Sequence, residues 1–206
     1  MPSSNRVVLE AVAQRIKPLL SQVVFVGGQV AELLITDPAA VRIRPTDDVD
    51  VVVTAATRLE YRKIEDQVRA LGFSNDLREG APICRWISPD GHMLDLMPVD
   101  ESVLGFSNRW YSHAVTRTAD YELREGLCIR LPTPPVFVAT KLEAFRGRGN
   151  EDLLGSHDLE DVISVVAGRP GLVEEASLES VELREWLQRF VRGLLEHPEF
   201  PYAVQG

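Results

Sequence analysis

Apolar residues at Val8, Val12, Ile16 and Leu19 or Leu20 recur at helical spacing and predict a helix over Val7 to Leu20 with one buried stripe. The run Val23-Val24-Phe25-Val26 predicts a strand, Gly27-Gly28 a turn, and Val30, Ala31, Leu33 and Leu34 a helix from Gln29 to Ile35. Asp37-Pro38 ends that helix, because proline has no amide donor and disfavours helix in the residue before it. A polar connector with Arg42 and Arg44 leads into Asp48-Val49-Asp50-Val51-Val52-Val53, a second strand whose carboxylates sit at its beginning. Arg58 to Leu71 reads as a helix closed by Gly72.

Ile83 to Ile87 and Met93 to Met97 predict two strands joined by Pro89-Asp90-Gly91, a turn sequence that links antiparallel neighbours. Leu127 to Leu131 predicts a further short strand, followed by the break Pro132-Thr133-Pro134-Pro135. Beyond it, Val136 to Phe145, Asp158 to Ala167 and Leu178 to Leu195 have helical periodicity, the last with Leu183, Leu187, Phe190, Val191 and Leu194 on one side. The expected organisation is a mixed α/β core over residues 1–131 and a C-terminal helical region over 132–206 packed on it. No internal repeat, low-complexity tract or long flexible linker interrupts it.

Composition narrows the functional classes. A net charge of -9 argues against a broad basic surface that coats nucleic acid, since such binding draws on many Lys and Arg neutralising phosphates. Twelve acidic and four basic residues lie between Glu151 and Glu199, so the rest of the chain is close to neutral and has room for a local basic pocket. Cys84 and Cys128 sit in apolar, strand-like runs and are expected as buried thiols in a reducing compartment. No stretch has the length of a membrane span and Met1 to Arg6 is not a secretory signal, so a cytoplasmic protein is expected.

The candidate chemistry lies in the aspartates. Asp48 and Asp50, two apart on a strand, point to the same side and can clamp a divalent cation; hard cations such as Mg2+ bind through a few carboxylates together with substrate phosphates. Asp95, between Leu94 and Leu96 on another strand, would cost several kcal/mol to bury as a lone charge, a cost that a cation removes; an arginine partner would satisfy it equally. Gly27-Gly28, between strand and helix, lets a phosphate approach the backbone at a helix N-terminus. Each element alone has a bland explanation, while their order along the chain points to nucleotide chemistry.

Val26-Gly27-Gly28, Asp48-Val49-Asp50-Val51-Val52 and Leu94-Asp95-Leu96 resemble the glycine motif, paired-Asp motif and third carboxylate of polymerase-β-type nucleotidyltransferases. Lys141-Leu142-Glu143-Ala144-Phe145-Arg146 and His157-Asp158-Leu159-Glu160-Asp161 resemble the later Lys and Asp motifs of AbiEii-like proteins, a group that includes toxins of toxin–antitoxin systems. The resemblance implies a polymerase-β-like core with a small mixed sheet flanked by helices. It further implies Mg2+, or Mn2+ in its place, on Asp48, Asp50 and Asp95, a nucleoside triphosphate substrate, and a role for Lys141 in neutralising phosphate charge. Asp158 would then position the lysine or the base, and Arg148 would assist. Gly27, Gly28, Arg44 and Lys141 form the implied nucleotide-binding set, with Arg44 also balancing Asp47. Gly28 stands where serine is common in the family, which removes a hydroxyl and leaves the backbone amides. The implied acceptor is an RNA end such as that of tRNA, a protein or a small hydroxylated molecule, and an antitoxin would be a partner.

Two other readings compete. A catalytically inactive nucleotide-binding or interaction module would keep the same fold. A dinucleotide-binding fold built on Gly27-Gly28 lacks the G-x-G-x-x-G fingerprint. The dispersed His92, His113, His157 and His197 have no zinc-binding spacing. Trp86, Trp110 and Trp186 are expected in the core, with Phe106, Trp110 and Tyr111 beside Arg109 as an alternative base-stacking surface.

Overall fold

Pro18 splits the first amphipathic segment in two. In the computed structural model, which describes residues 3–40, 43–55, 57–148 and 152–205, α1 spans Ser4–Arg15 and a separate 3-10 turn spans Lys17–Gln22. One continuous helix over Val7 to Leu20 is not formed, because proline in a helix interior removes a hydrogen bond and clashes with the carbonyl of the preceding turn. Ser3 caps α1 by accepting from the Arg6 amide, and Leu9, Val12 and Ala13 form its buried stripe.

The strand β1 (Val23–Val26) is buried along its whole length. The glycines after it open a 3-10 helix over Gly28–Leu34, where the pattern predicted an α-helix. There follow β2 (Asp48–Val53), α2 (Arg58–Ala70), β3 (Ser74–Asn75), β4 (Arg85–Ile87) and β5 (Met93–Pro98). After these come α3 (Glu101–Leu104), α4 (Tyr111–Thr116), β6 (Thr118–Arg124) and β7 (Leu127–Pro132). A capping box of Thr57 and Glu60 starts α2, whose Tyr61, Ile64 and Val68 face the core. Tyr61 donates its hydroxyl to the Leu96 carbonyl at 2.8 Å, fixing α2 to β5.

Among the described residues, five strands form a mixed sheet in the order β1-β2-β5-β4-β3. The central pair β2–β5 is parallel and the other pairs are antiparallel. Parallel strands occur where both faces are covered, which matches the near-continuous apolar runs Val51-Val52-Val53 and Leu94 to Leu96 interrupted only by the buried Asp95. The hairpin β6–β7 stands beside that sheet, with Arg130 of β7 donating to the carbonyls of Ser21 and Val23. β6 escaped the periodicity because most of its residues face solvent. On β7 the alternation places Leu127 and Ile129 inside and Cys128 outside, so Cys128 is exposed and only Cys84 is the expected buried thiol.

The chain divides into two compact units, residues 1–30 with 44–133 and residues 31–43 with 134–206. The second contains α5 (Pro134–Arg148), α6 (His157–Gly168), α7 (Leu172–Ser177), α8 (Val181–Glu196) and α9 (Phe200–Gln205). Segment 31–43 belongs with these helices because the Gly168 carbonyl accepts the amides of Thr36 and Asp37, and Arg169 donates to the Leu34 carbonyl. A Cβ on Gly168 would lie 2.8 Å from a methyl of Ile35, so this close approach needs glycine. Ser180 caps α8 and starts it later than Leu178. Its buried stripe runs through Leu183, Trp186 and Leu194, with Phe190 packed on Trp186 and Phe145; Val191, expected on that side, is exposed. Among the described residues no helix is long and apolar enough to cross a membrane.

Candidate functional site

Strand register lines up the site. Val26 of β1 pairs with Asp50 of β2, Asp50 with Asp95 of β5, and Asp95 with Arg85 of β4. Residues paired across neighbouring strands project to one face of a sheet, so Asp50, Asp95 and Arg85 form a row. Asp48, two residues before Asp50, projects to that same face. The three aspartates singled out in the sequence are therefore together, and an arginine that the motifs did not single out is among them.

Arg85 grips the row. Its Nε donates to Asp95 Oδ1 at 2.8 Å and its Nη2 to Asp95 Oδ2 at 2.8 Å, while Nη2 also reaches Asp48 Oδ2 at 2.7 Å. Asp95 is 5% exposed, and this two-bond fork is the partner its burial requires. The hydrogen bond that Arg85 donates to Asp95, and, against the opposing effect of burial, the charges of Asp95, Asp48 and Asp50, raise the Arg85 pKa, so that all three carboxylates act on one positive charge. Burial pushes the neighbouring Cys84 thiol up to about 12, with the charges of Asp95 and Asp50 adding to the effect.

Gly27 and Asp50 occupy each other's space. Gly27 has φ +77, and a Cβ built there would lie 2.0 Å from Asp50 Oδ2. Glycine is needed twice over, for the left-handed backbone and for the carboxylate that fills the place of a side chain. Gly28 opens the 3-10 segment, which is too short to develop the N-terminal field expected of an α-helix.

The loop entering β2 is held from both sides by buried amides. Asn5 Nδ2 donates to the Arg44 carbonyl at 2.9 Å and Asn5 Oδ1 accepts from the Thr46 amide at 3.0 Å; Gln29 Nε2 donates to the Thr46 carbonyl at 2.6 Å. Thr46 Oγ1 in turn donates to Asp48 Oδ1 at 2.9 Å. Asn5, Gln29 and Thr46 thus orient Asp48, a role carried by no motif and by no periodicity in the sequence. Arg44 contributes its carbonyl to this brace, and its guanidinium donates to the Pro45 carbonyl at 3.4 Å.

The donor set is all oxygen and suits a hard cation, and the cation it holds is the Arg85 guanidinium. Among the described residues no group of three or more His, Cys, Asp or Glu side chains is arranged to hold a metal ion.

The later motifs meet in the helical unit. Lys141 of α5 is 3.0 Å from Asp158 Oδ1 and 2.7 Å from Asp161 Oδ2 of α6, and all three residues are buried. Asp158 and Asp161 are one turn apart on a helix capped by Ser156. Asp161 stands in the Asp motif with no role implied by the resemblance; its i, i+3 spacing from Asp158 is the sequence signal that places it on the same helix face. The Arg148 side chain lies outside the described residues. Trp110 and Tyr111 are buried, so the stacking surface they were to offer is not present; Arg109 lies over the Trp110 ring at 5.1 Å.

No known family's sequence model matches the chain, and no curated protein matches it. Among solved structures, an antigenic nucleotidyltransferase-like protein from Paracoccidioides brasiliensis is similar, with 21% identity and a TM-score of 0.53 over 98% of this chain and 92% of that one. The likeness shows a nucleotidyltransferase-like fold.

Proposed function

We propose that the protein is a nucleotidyltransferase that moves a nucleoside monophosphate from a nucleoside triphosphate to an acceptor hydroxyl. The observation that carries this reading is the row of Asp50 and Asp95 with Asp48 beside it, next to the Gly27 turn, in a nucleotidyltransferase-like fold. The acceptor oxygen would form a bond to the α-phosphorus while the bond to the leaving pyrophosphate breaks, and the acceptor proton would pass to a base such as Asp95.

Asp48, Asp50 and Asp95 would hold Mg2+, or Mn2+ in its place, and the ions would supply charge neutralisation at the phosphates and activation of the attacking oxygen. The chain's own contribution is placement. Gly27 leaves room for Asp50, Thr46 and the Asn5–Gln29 brace orient Asp48, and the β5 register sets Asp95 beside Asp50. Gly28 and Arg44 complete the proposed nucleotide-binding set in this unit; in the helical unit the family resemblance supports a phosphate-neutralising role for Lys141, which Asp158 positions. The AbiEii-like motifs support a toxin of a toxin–antitoxin system with a tRNA acceptor and a protein antitoxin, while the net charge of -9 adds nothing to the tRNA assignment.

The test is transfer of label from each nucleoside triphosphate with Mg2+ and a cell extract or purified tRNA. Transfer by the wild type and its loss in Asp48→Ala and Asp50→Ala support the reading. No transfer by the wild type, or equal transfer by the variants, rejects it.

A second reading has one observation in its favour: Arg85 already neutralises the carboxylates, as it would in a module that binds nucleotides or partners without turnover. Tight Mg2+-dependent triphosphate binding in calorimetry, with no pyrophosphate released, would favour it.

A further inference from the structure

The cluster that the proposed function assigns to metal is closed by a side chain of the protein itself. Three N–H···O contacts from Arg85 take both oxygens of Asp95 and one of Asp48, and Thr46 takes the other Asp48 oxygen. These are oxygens that a cation would use. A guanidinium and a divalent ion within the same few ångströms repel each other, so the two cannot share the set.

Arg85 is held by the sheet and lies at a strand end. Register fixes it opposite Asp95, and its planar fork matches the carboxylate. It is also the first residue of β4, a short strand, and the loop that precedes it is largely exposed. Its side chain is 17% exposed, so part of it reaches solvent.

We infer that Arg85 is a resident counter-cation that competes with divalent metal for Asp48, Asp50 and Asp95, so that metal loading requires its guanidinium to leave the cluster. This rests on the reading of the cluster as a metal site. The consequence is a site that stays charge-compensated without metal and binds a free ion weakly. A triphosphate favours loading in two ways, by bringing oxygen ligands for the ion and by offering the displaced guanidinium an anionic partner.

The experiment is titration of full-length protein with MnCl2 alone, counting free Mn2+ by electron paramagnetic resonance. Arg85→Gln removes the charge; Arg85→Lys keeps it and loses the fork. The expected result is that Arg85→Gln binds Mn2+ about tenfold or more tightly than the wild type, with Arg85→Lys between them. Asp50→Asn placed on Arg85→Gln removes the gain.

If Asp50→Asn weakens Mn2+ binding by the wild type while neither Arg85 variant tightens it, the competition is overturned and the metal site stands. If neither the wild type nor the Arg85 variants bind Mn2+, the metal-site reading falls and the competition falls with it. Should Arg85→Gln fail to fold, Arg85→Lys decides alone, because tighter binding than the wild type supports competition and equal or weaker binding overturns it.

Discussion

Arg85 and Asp95 face each other across the antiparallel pair β4–β5, and the guanidinium meets both carboxylate oxygens at 2.8 Å. Asp48 receives one branch of the same guanidinium and is more exposed, at 31% against 7% for the Asp95 side chain. The two aspartates should therefore differ in their structural weight. Asp95→Ala is expected to cost about 1–3 kcal/mol in urea unfolding, because it leaves a largely buried cation with half its partners. Asp48→Ala should cost less than about 1 kcal/mol, as a partly exposed pair does. The reverse order would show that the fork on Asp95 is not the anchor of the row.

That fork was within reach of the sequence, and its absence from the motifs has a geometric cause. Arg85 and Asp95 stand equidistant from Asp90, the centre of the turn, so a hairpin register drawn about Asp90 pairs them. Motif reading looks along a strand, where Asp48 and Asp50 are visible through period two, and does not look across strands. The valine-rich and leucine-rich runs of β1, β2 and β5 were legible because buried strands are continuously apolar. β6 was not, since its residues mostly face water, and the 3-10 form of Gly28–Leu34 was not, since helical periodicity does not separate the two helix types over so short a span. The pairing of β2 with β5 lay beyond the sequence altogether, being set by long-range packing.

Gly27→Ala tests whether the glycine turn serves the aspartate row. A methyl group would meet Asp50 Oδ2 at 2.0 Å and would force an alanine into a backbone of φ +77. The expected cost is about 1–3 kcal/mol in urea unfolding, with Mn2+ binding weakened because Asp50 must turn away. Gly28→Ala, which adds a methyl one residue on, is the contrast and should leave Mn2+ binding closer to that of the wild type. Equal behaviour of the two variants would mean that Gly27 is an ordinary turn residue.

Lys141 holds Asp158 and Asp161 at 3.0 and 2.7 Å in the interior of the helical unit. Lys141→Met keeps the length of the side chain and removes the charge, leaving two buried carboxylates without their shared cation. The expected loss is about 3–5 kcal/mol, read from urea unfolding. Lys141→Arg should lose less, since it keeps a cation beside the two carboxylates. A Lys141→Met variant as stable as the wild type would show that the cluster does not hold α5 to α6 and that the lysine is free for another role.

Cys84 and Tyr61 are expected to weaken the fold at alkaline pH, and Cys128 supplies the internal control. Burial raises the Cys84 thiol from 9.0 to about 12 and moves the Tyr61 hydroxyl, which donates to the Leu96 carbonyl, above its ordinary range. A raised folded-state value means that the folded chain keeps a proton which the unfolded chain gives up. Below about pH 9 the thiol is neutral in both states and its burial counts in full; as pH rises from there toward about 12, stability falls. Urea midpoints should therefore be flat from neutral pH to about 9 and decline above it, and Cys84→Ala should make that decline shallower even though the lost packing lowers every point. In the native protein at neutral pH, a thiol reagent should modify the exposed Cys128 readily and Cys84 only at the rate of unfolding. Equal modification of both cysteines would place Cys84 in contact with solvent and remove the packing that surrounds Arg85 and Asp95.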